Sequence, residues 1–172
     1  MPQNHYKAVA RSPDELLVRG KYFEVAIEKI VLDAEVVNGF PEAVGHFVLF
    51  EVVYSNFWEY VISTNSLGAL LIDSNGFQHS ECSLYNPVIH KAKGLKKGTE
   101  LQSIAYEVQG QARSAGFLVF PELKKSAVPH RLIFQFQIFE PGQTSGYVQD
   151  SEKLELIFDL SLYGRLIGES KK

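Results

Sequence analysis

The sequence has very little cysteine: a single residue, Cys82, among 172. One cysteine cannot form an intrachain disulfide, so the fold does not depend on an oxidising compartment. It also excludes the paired Cys-x-x-Cys spacing that is typical of structural zinc sites. A single domain of this length buries roughly 70% of the surface of its unfolded chain, and is therefore stable without cross-links.

Long apolar runs and strong charge are also missing. No stretch approaches the ~20 apolar residues of a membrane-spanning helix, which excludes such a span. The opening sequence MPQNHYK lacks the apolar core of a signal peptide, so with Met1 as the natural start we expect a cytoplasmic protein. A formal net charge of -3 argues against nucleic acid or an acidic membrane as a general partner.

What the sequence does have is apolar and aromatic strand patterning. Residues 46–56, HFVLFEVVYSN, are apolar at almost every position and end at an asparagine. A strand that is apolar on both faces has to be covered on both faces. We therefore place this segment in the middle of a packed β structure. The 12 phenylalanines and 8 tyrosines agree with this class of fold, because both residue types favour strands.

Alternating apolar and polar residues predict further strands, the clearest of them at 132–139. After Glu28 the alternation changes phase, which indicates a β-bulge. Asn-Gly pairs at 38–39 and 75–76 predict tight turns. No helical segment is long enough for a parallel crossover. The chain is therefore predicted to be an all-β, antiparallel β-sandwich of about seven to nine strands.

The predicted organisation has three parts: an N-terminal arm at 1–21, a β-sandwich domain at 22–160 and a C-terminal tail at 161–172. The boundaries follow the change between polar sequence and alternating sequence. Within the arm, Ser12 and Glu15 have the spacing of a capping box and favour a short helix. A surface turn is the other interpretation of this stretch.

Three short phrases occur in the order that is usual in a bacterial immunoglobulin-like family of unknown function, common in secreted proteins and lipoproteins. They are FEVVYSN at 50–56, LIDSNGF at 71–77 and GFLVFP at 116–121. Over residues 23–139 the chain resembles this family. The resemblance implies an immunoglobulin-like sandwich, and it adds no catalytic residue.

Metal ligation has two candidates in the sequence. His79, Cys82 and His90 lie close together in sequence, but they include no second compact ligand pair, and alternation places the first two on opposite faces of a strand. The turn at 73–76, DSNG, has oxygen ligands for calcium, but Glu81 is the only acid near it downstream, so a plain hairpin turn is favoured. We expect neither a metal nor another cofactor.

Nucleophilic catalysis has one candidate, the thiol of Cys82. A cysteine nucleophile needs a neighbouring base and an orienting acid, and no elbow or glycine run surrounds this residue. The sequence therefore predicts no catalytic residue, and we expect that the protein is not an enzyme.

Two stretches are candidates for a binding surface. A basic loop, with Lys91, Lys93, Lys96 and Lys97, has the charge to bind phosphate or an acidic partner, and a solvated loop is the other interpretation. An aromatic cluster of Phe57, Trp58 and Tyr60 follows the central strand. Exposed aromatic residues anchor protein interfaces and carbohydrate platforms, whereas a buried Trp58 would close one end of the core.

These observations favour a non-catalytic binding or assembly module, with a protein partner or a second copy of the chain as its target. Sandwich edge strands invite such pairing. The alternative is a β-sandwich that binds a small ligand or a carbohydrate through its aromatic loop. The fold alone does not decide between them, because one fold carries many functions.

Overall fold

The computed structural model describes residues 7–9, 16–19, 23–39, 41–59, 62–63, 68–103, 107–138 and 152–159. Within these ranges the regular structure is entirely strand, which confirms the all-β prediction. The strands are β1 (Lys7–Val9), β2 (Leu17–Arg19), β3 (Phe23–Asn38), β4 (Ala43–Asn56), β5 (Ile62–Ser63), β6 (Gly68–Asp73), β7 (Gln78–Ser80), β8 (Val88–Lys91), β9 (Glu107–Val108), β10 (Arg113–Pro121), β11 (Pro129–Ile138) and β12 (Glu152–Asp159).

The strands form two main sheets that pack as a β-sandwich. The first sheet has the order β1-β12-β11-β6-β7, and the second has the order β10-β4-β3-β2 with β8 also paired to β3. Neighbouring strands are antiparallel except for β1 and β12, which are parallel. A short ribbon of β5 and β9 completes the described strands. The predicted antiparallel sandwich is therefore confirmed.

Strand β4 lies in the middle of the second sheet, between β3 and β10, and both of its faces are covered. On one face Phe50 and Tyr54 are buried in the core between the two sheets, together with Leu71 and Leu132 of the opposite sheet. On the other face Leu49 belongs to a second apolar cluster, closed by the segment that follows β7. The sequence predicted a strand covered on both sides, and this is what the structure shows.

Aromatic side chains fill the core between the sheets. The rings of Phe50 and Phe120 meet edge to face, with their centroids 5.6 Å apart, and the rings of Phe23 and Tyr54 are stacked at 6.1 Å. Each fully buried phenylalanine contributes about 2–3 kcal/mol of hydrophobic stabilisation. The core therefore fixes β3, β4 and β10 relative to one another, and these three strands carry the candidate site.

Strand β3 has two irregularities in its pairing with β4. The first lies between Ile27 and Lys29, where the sequence predicted a β-bulge, and that prediction is confirmed. The second lies between Val31 and Ala34, which pair with Leu49 and Phe47. Two residues of β3 therefore oppose a single residue of β4. A bulge of this kind redirects a side chain, and here the affected residue is Asp33.

Several details of the sequence-based prediction differ from the structure. Lys91, the first lysine of the predicted basic loop, lies in β8, because buried Ile89 draws this segment onto β3. Alternation at 99–108 predicts a further strand, but within the described part of this range only Glu107–Val108 is a strand, β9, and Glu100 forms an isolated bridge to Val88.

The number of strands agrees with the prediction from the sequence. Seven of the described strands have four residues or more, and seven to nine were predicted. Leu17, which falls within the proposed short helix, lies in β2, and residues 10–15 lie outside the described ranges. Strands β1 and β2 belong to the sheets although they fall within the predicted arm at 1–21, and the boundaries themselves stay predictions. The described part of the chain contains no helix capable of spanning a membrane.

Candidate functional site

Three side chains that carry potential metal-ligand atoms come together beside the C-terminal end of β10. His46 of β4 pairs with Glu35 of β3, and Phe47 pairs with Pro121, the last residue of β10. Glu122 follows directly, so it continues the register toward His46. The bulge in β3 supplies the third side chain, Asp33. The cluster thus draws one residue from each of three neighbouring chain segments.

The geometry of this Asp33–His46–Glu122 cluster is close. His46 Nδ1 lies 2.9 Å from Asp33 Oδ1. One nitrogen or carboxylate oxygen from each of the three residues lies within 4.8 Å of the others, and all three side chains are exposed. The hydrogen bond to Asp33 raises the pKa of His46 above its ordinary 6.5. Desolvation opposes this shift, and the charges of Asp33, Glu122 and Glu35 add to it.

An open cleft of about 710 Å³ adjoins the cluster. It carries charges of both signs, and we call it the mixed-charge cleft: Asp33, Glu35, Lys91, Lys93, Glu122 and Lys125. Its apolar lining is provided by Leu32, Val48 and Leu123, which are buried. The cleft is therefore a charged surface on a fixed apolar base.

The predicted basic loop is divided by the structure. Its lysines are Lys91, Lys93, Lys96 and Lys97. The first two line the mixed-charge cleft, whereas the last two are exposed outside it. The turn after β8 is held in place by Lys29, whose Nζ donates a hydrogen bond to the Gly94 carbonyl at 2.7 Å. Only half of the predicted basic surface therefore belongs to the candidate site.

The aromatic cluster lies after the end of β4. Phe57 is 54% exposed, whereas Trp58 is half-buried and packs against the core between the sheets. The Trp58 carbonyl accepts a hydrogen bond from Gln111 N–H at 3.0 Å. Tyr60 lies outside the described residues. Of the three predicted aromatic residues, Phe57 is the one that the structure shows presenting its ring to solvent.

The DSNG turn is organised by the buried carboxylate of Asp73. Its Oδ1 accepts hydrogen bonds from Asn75 N–H and Phe77 N–H, and its Oδ2 lies 2.8 Å from His79 Nε2. Burial by itself would raise the pKa of Asp73, but the hydrogen bonds from His79, Phe77 and Asn75 outweigh it, and the pKa lies below its ordinary value. Both carboxylate oxygens of Asp73 are therefore hydrogen-bonded within the β6–β7 hairpin. This agrees with the plain hairpin turn predicted for residues 73–76.

The sequence candidates His79, Cys82 and His90 do not converge on a common point within the described part of the chain. His79 contacts Asp73, and His90 is exposed on β8. Cys82 is half-buried beside a second cleft of about 480 Å³. Burial raises the pKa of its thiol, and the neighbouring charge of Glu81 adds to this effect.

Sequence reasoning missed the Asp33–His46–Glu122 cluster. The available signal was a pair of acidic residues, Asp33 and Glu35, inside the otherwise apolar run IVLDAEVV at 30–37. The second bulge of β3 lies within this run. Its apolar residues fit the alternation on either side of the bulge equally well, so the sequence does not reveal the shift in register. The meeting with Glu122 depends on strand pairing between distant segments, and no local pattern indicates it.

Comparison with known proteins finds no matching family model and no matching curated protein. Three solved structures are similar. The yjhA protein of Bacillus subtilis is 16% identical over 89% of this chain and 99% of its own, with a TM-score of 0.48. The ycdA protein of the same species is 9% identical over 92% of this chain, with a TM-score of 0.46, and the chain spans 42% of its length. An uncharacterised β-sandwich protein of Clostridium difficile is 7% identical over 93% of this chain and 98% of its own, at 0.41. None of these likenesses assigns a function.

Proposed function

We propose that this chain is a non-catalytic binding module that engages a protein partner through the mixed-charge cleft. The observation that carries the proposal is the cleft itself, where acidic and basic side chains from three chain segments surround a buried apolar base. Complementary charges set the choice of partner and the rate of association more than they set affinity. A surface that carries both positive and negative charges is therefore suited to distinguishing one protein partner from another.

The shape of the cleft favours a macromolecular partner over a small ligand. Small-molecule pockets enclose most of their ligand within a largely apolar wall and use few polar groups. Here the cleft is open, and Asp33, Lys91, Lys93 and Glu122 on its walls are all exposed. A polar, solvent-exposed rim around an apolar centre is the usual anatomy of a protein interface.

A non-catalytic role is supported by the state of Cys82, the one candidate nucleophile that the sequence offers. Reactive cysteines have a lowered pKa and an electropositive surrounding, whereas burial and Glu81 raise the pKa of Cys82. We further propose that the sandwich is of the immunoglobulin-like type, on the strength of the three sequence phrases that it shares with that family. The cytoplasmic location stays a prediction.

Site-specific photo-crosslinking tests this proposal. Benzoylphenylalanine is introduced at Lys93 in the cleft, at Phe57 near the end of β4 and at exposed Asn75 as a control, and the three variants are irradiated in the cells that make the protein. We expect a discrete adduct from position 93 and none from position 75. An adduct of twice the chain mass would identify the partner as a second copy. Absence of an adduct at 93, or equal adducts at all three positions, would contradict the proposal.

Binding of the purified partner then has to depend on the charge of the cleft. We expect Lys93→Glu to weaken binding several-fold and to change its salt dependence. Lys97→Glu is the matched control, because Lys97 is exposed outside the cleft. If the two variants bind the partner equally well, the cleft is not the interface.

The second candidate function is binding of a small ligand or a carbohydrate at the aromatic cluster. The exposure of Phe57 favours it, because an exposed ring can stack on a sugar or on an apolar ligand. A glycan array probed with the wild-type chain and with Phe57→Ala tests it. Specific binding that the variant loses supports this candidate, and the absence of any binding excludes carbohydrate at this position.

A further inference from the structure

The Asp33–His46–Glu122 cluster contains a set of metal ligands that the cleft's role in partner binding does not require. It offers one imidazole nitrogen and two carboxylate groups. The three side chains come from β3, from β4 and from the residue after β10, so the backbone that holds them is fixed by a paired sheet. Neither the local sequence nor the comparisons point to a metal here.

The backbone around each ligand is anchored by a buried neighbour. Leu32 precedes Asp33 and is 5% exposed, and Leu123 follows Glu122 and is 7% exposed. Phe47, next to His46, packs against the second apolar cluster. Anchored backbones with exposed side chains give a site that keeps its position while the ligand atoms adjust. That combination is what a metal site needs if it is to bind an ion without refolding the sheet.

The spacing of the ligand atoms is close to what a metal ion requires. Zinc binds nitrogen and oxygen at about 2.0–2.2 Å, which places tetrahedral ligand atoms roughly 3.4 Å apart. His46 Nδ1 and Asp33 Oδ1 are 2.9 Å apart, and the full set lies within 4.8 Å. Small rotations of the exposed side chains, chiefly of Glu122, would therefore complete the site.

We infer that Asp33, His46 and Glu122 bind a first-row divalent metal ion, with Zn²⁺ as the best fit. Magnesium and calcium prefer sites made of oxygen ligands alone, whereas an imidazole together with carboxylates suits zinc and its neighbours in the first row. Three protein ligands leave a fourth position of the tetrahedron open. Because Asp33 and Glu122 also line the mixed-charge cleft, water or a carboxylate of a protein bound in the cleft can take this position.

The inference goes beyond the proposed function and does not rest on it. Metal binding is measured on the isolated chain, whereas the crosslinking experiment requires the partner. If the chain binds zinc but forms no adduct at Lys93, the proposed interface fails and the metal site stands. If it forms the adduct but binds no zinc, the metal site fails and the interface stands.

Calorimetric titration of the purified full chain with ZnCl₂ tests the inference. We expect one ion per chain, and we expect Asp33→Asn, His46→Gln and Glu122→Gln each to weaken binding by about 10-fold or more. The matched controls are His90→Ala and Glu42→Gln, whose residues are exposed elsewhere, and Cys82→Ser, because thiolates also bind zinc. These three controls should bind like the wild type.

A second measurement reports the ligand set directly. Co²⁺ in the wild-type chain should give visible absorption of a tetrahedral or five-coordinate N/O site, and the His46→Gln spectrum should return to that of the aqueous ion. Circular dichroism confirms that each variant is folded. The inference is overturned if wild type shows no stoichiometric zinc binding. It is also overturned if binding is lost in a control rather than in the cluster variants, or if Mg²⁺ binds as tightly as Zn²⁺.

Discussion

The Oδ1 atom of Asn56 accepts a hydrogen bond from the backbone N–H of Trp58 at 2.9 Å, and this contact fixes the way the chain leaves β4. The Nδ2 atom of the same side chain donates to the carbonyls of Val108 and Gln109, at 3.1 and 3.2 Å. Asn56 is 1% exposed. One buried amide therefore joins the end of the central strand to the end of β9 and to the loop that leads into β10.

Replacing Asn56 should be costly because it leaves buried carbonyl groups without donors. We expect Asn56→Ala to lower the free energy of unfolding by about 2 kcal/mol. Urea denaturation followed by circular dichroism measures the change. Asn75→Ala is the matched control, since this side chain is exposed, and it should change stability by less than about 0.5 kcal/mol. Equal losses in the two variants would mean that the Asn56 hydrogen bonds contribute nothing.

The two neighbouring aromatic residues should differ in the same assay. Trp58 packs against the core and Phe57 is exposed. We expect Trp58→Ala to cost roughly 2 kcal/mol, less than the 3–5 kcal/mol of a fully buried aromatic residue, and Phe57→Ala to cost less than about 0.5 kcal/mol. If Trp58→Ala left the unfolding midpoint unchanged, the ring would be a surface feature and its packing would not stabilise the fold.

The turn at Asp73 should make stability depend on acid pH. Its folded-state pKa is depressed, so its contribution is present above the unfolded value, whose ordinary level is 3.8, and is lost as pH falls through the folded pKa. Near neutral pH we expect the wild-type chain to have a higher melting temperature than Asp73→Asn. Below about pH 4 the difference between the two melting temperatures should become smaller. Thermal melts of both proteins across this range measure it, and a constant gap would argue against the assignment.

The thiol of Cys82 should react slowly. Because burial and the charge of Glu81 raise its pKa, little thiolate exists near neutral pH, and the thiolate is the reactive form. We expect an aromatic disulfide reagent to label the native chain at least about tenfold more slowly than the urea-unfolded chain. Glu81→Gln should speed the native reaction. Labelling of native protein at the unfolded rate would restore Cys82 as a candidate nucleophile.

Strand β3 shows how far local patterns reach. Its first bulge was predictable because polar residues Glu24 and Glu28 mark the alternation on either side of Ile27, so the change of phase is visible. Its second bulge was not, because residues 30–37 are almost all apolar and fit both registers. The first bulge adds no side chain to the candidate site, whereas the second places Asp33 in it.

The sequence by itself determined the β class of this protein and the central position of residues 46–56. Both depend on local alternation and on the need to bury apolar side chains, and these are properties of neighbouring residues. Only the tertiary structure decided that Asp33, His46 and Glu122 meet, and that Lys91 and Lys93 border the same cleft. The physical reason is strand register: a shift of one residue in the pairing of β3, β4 and β10 would turn these side chains to other faces or levels of the sheet.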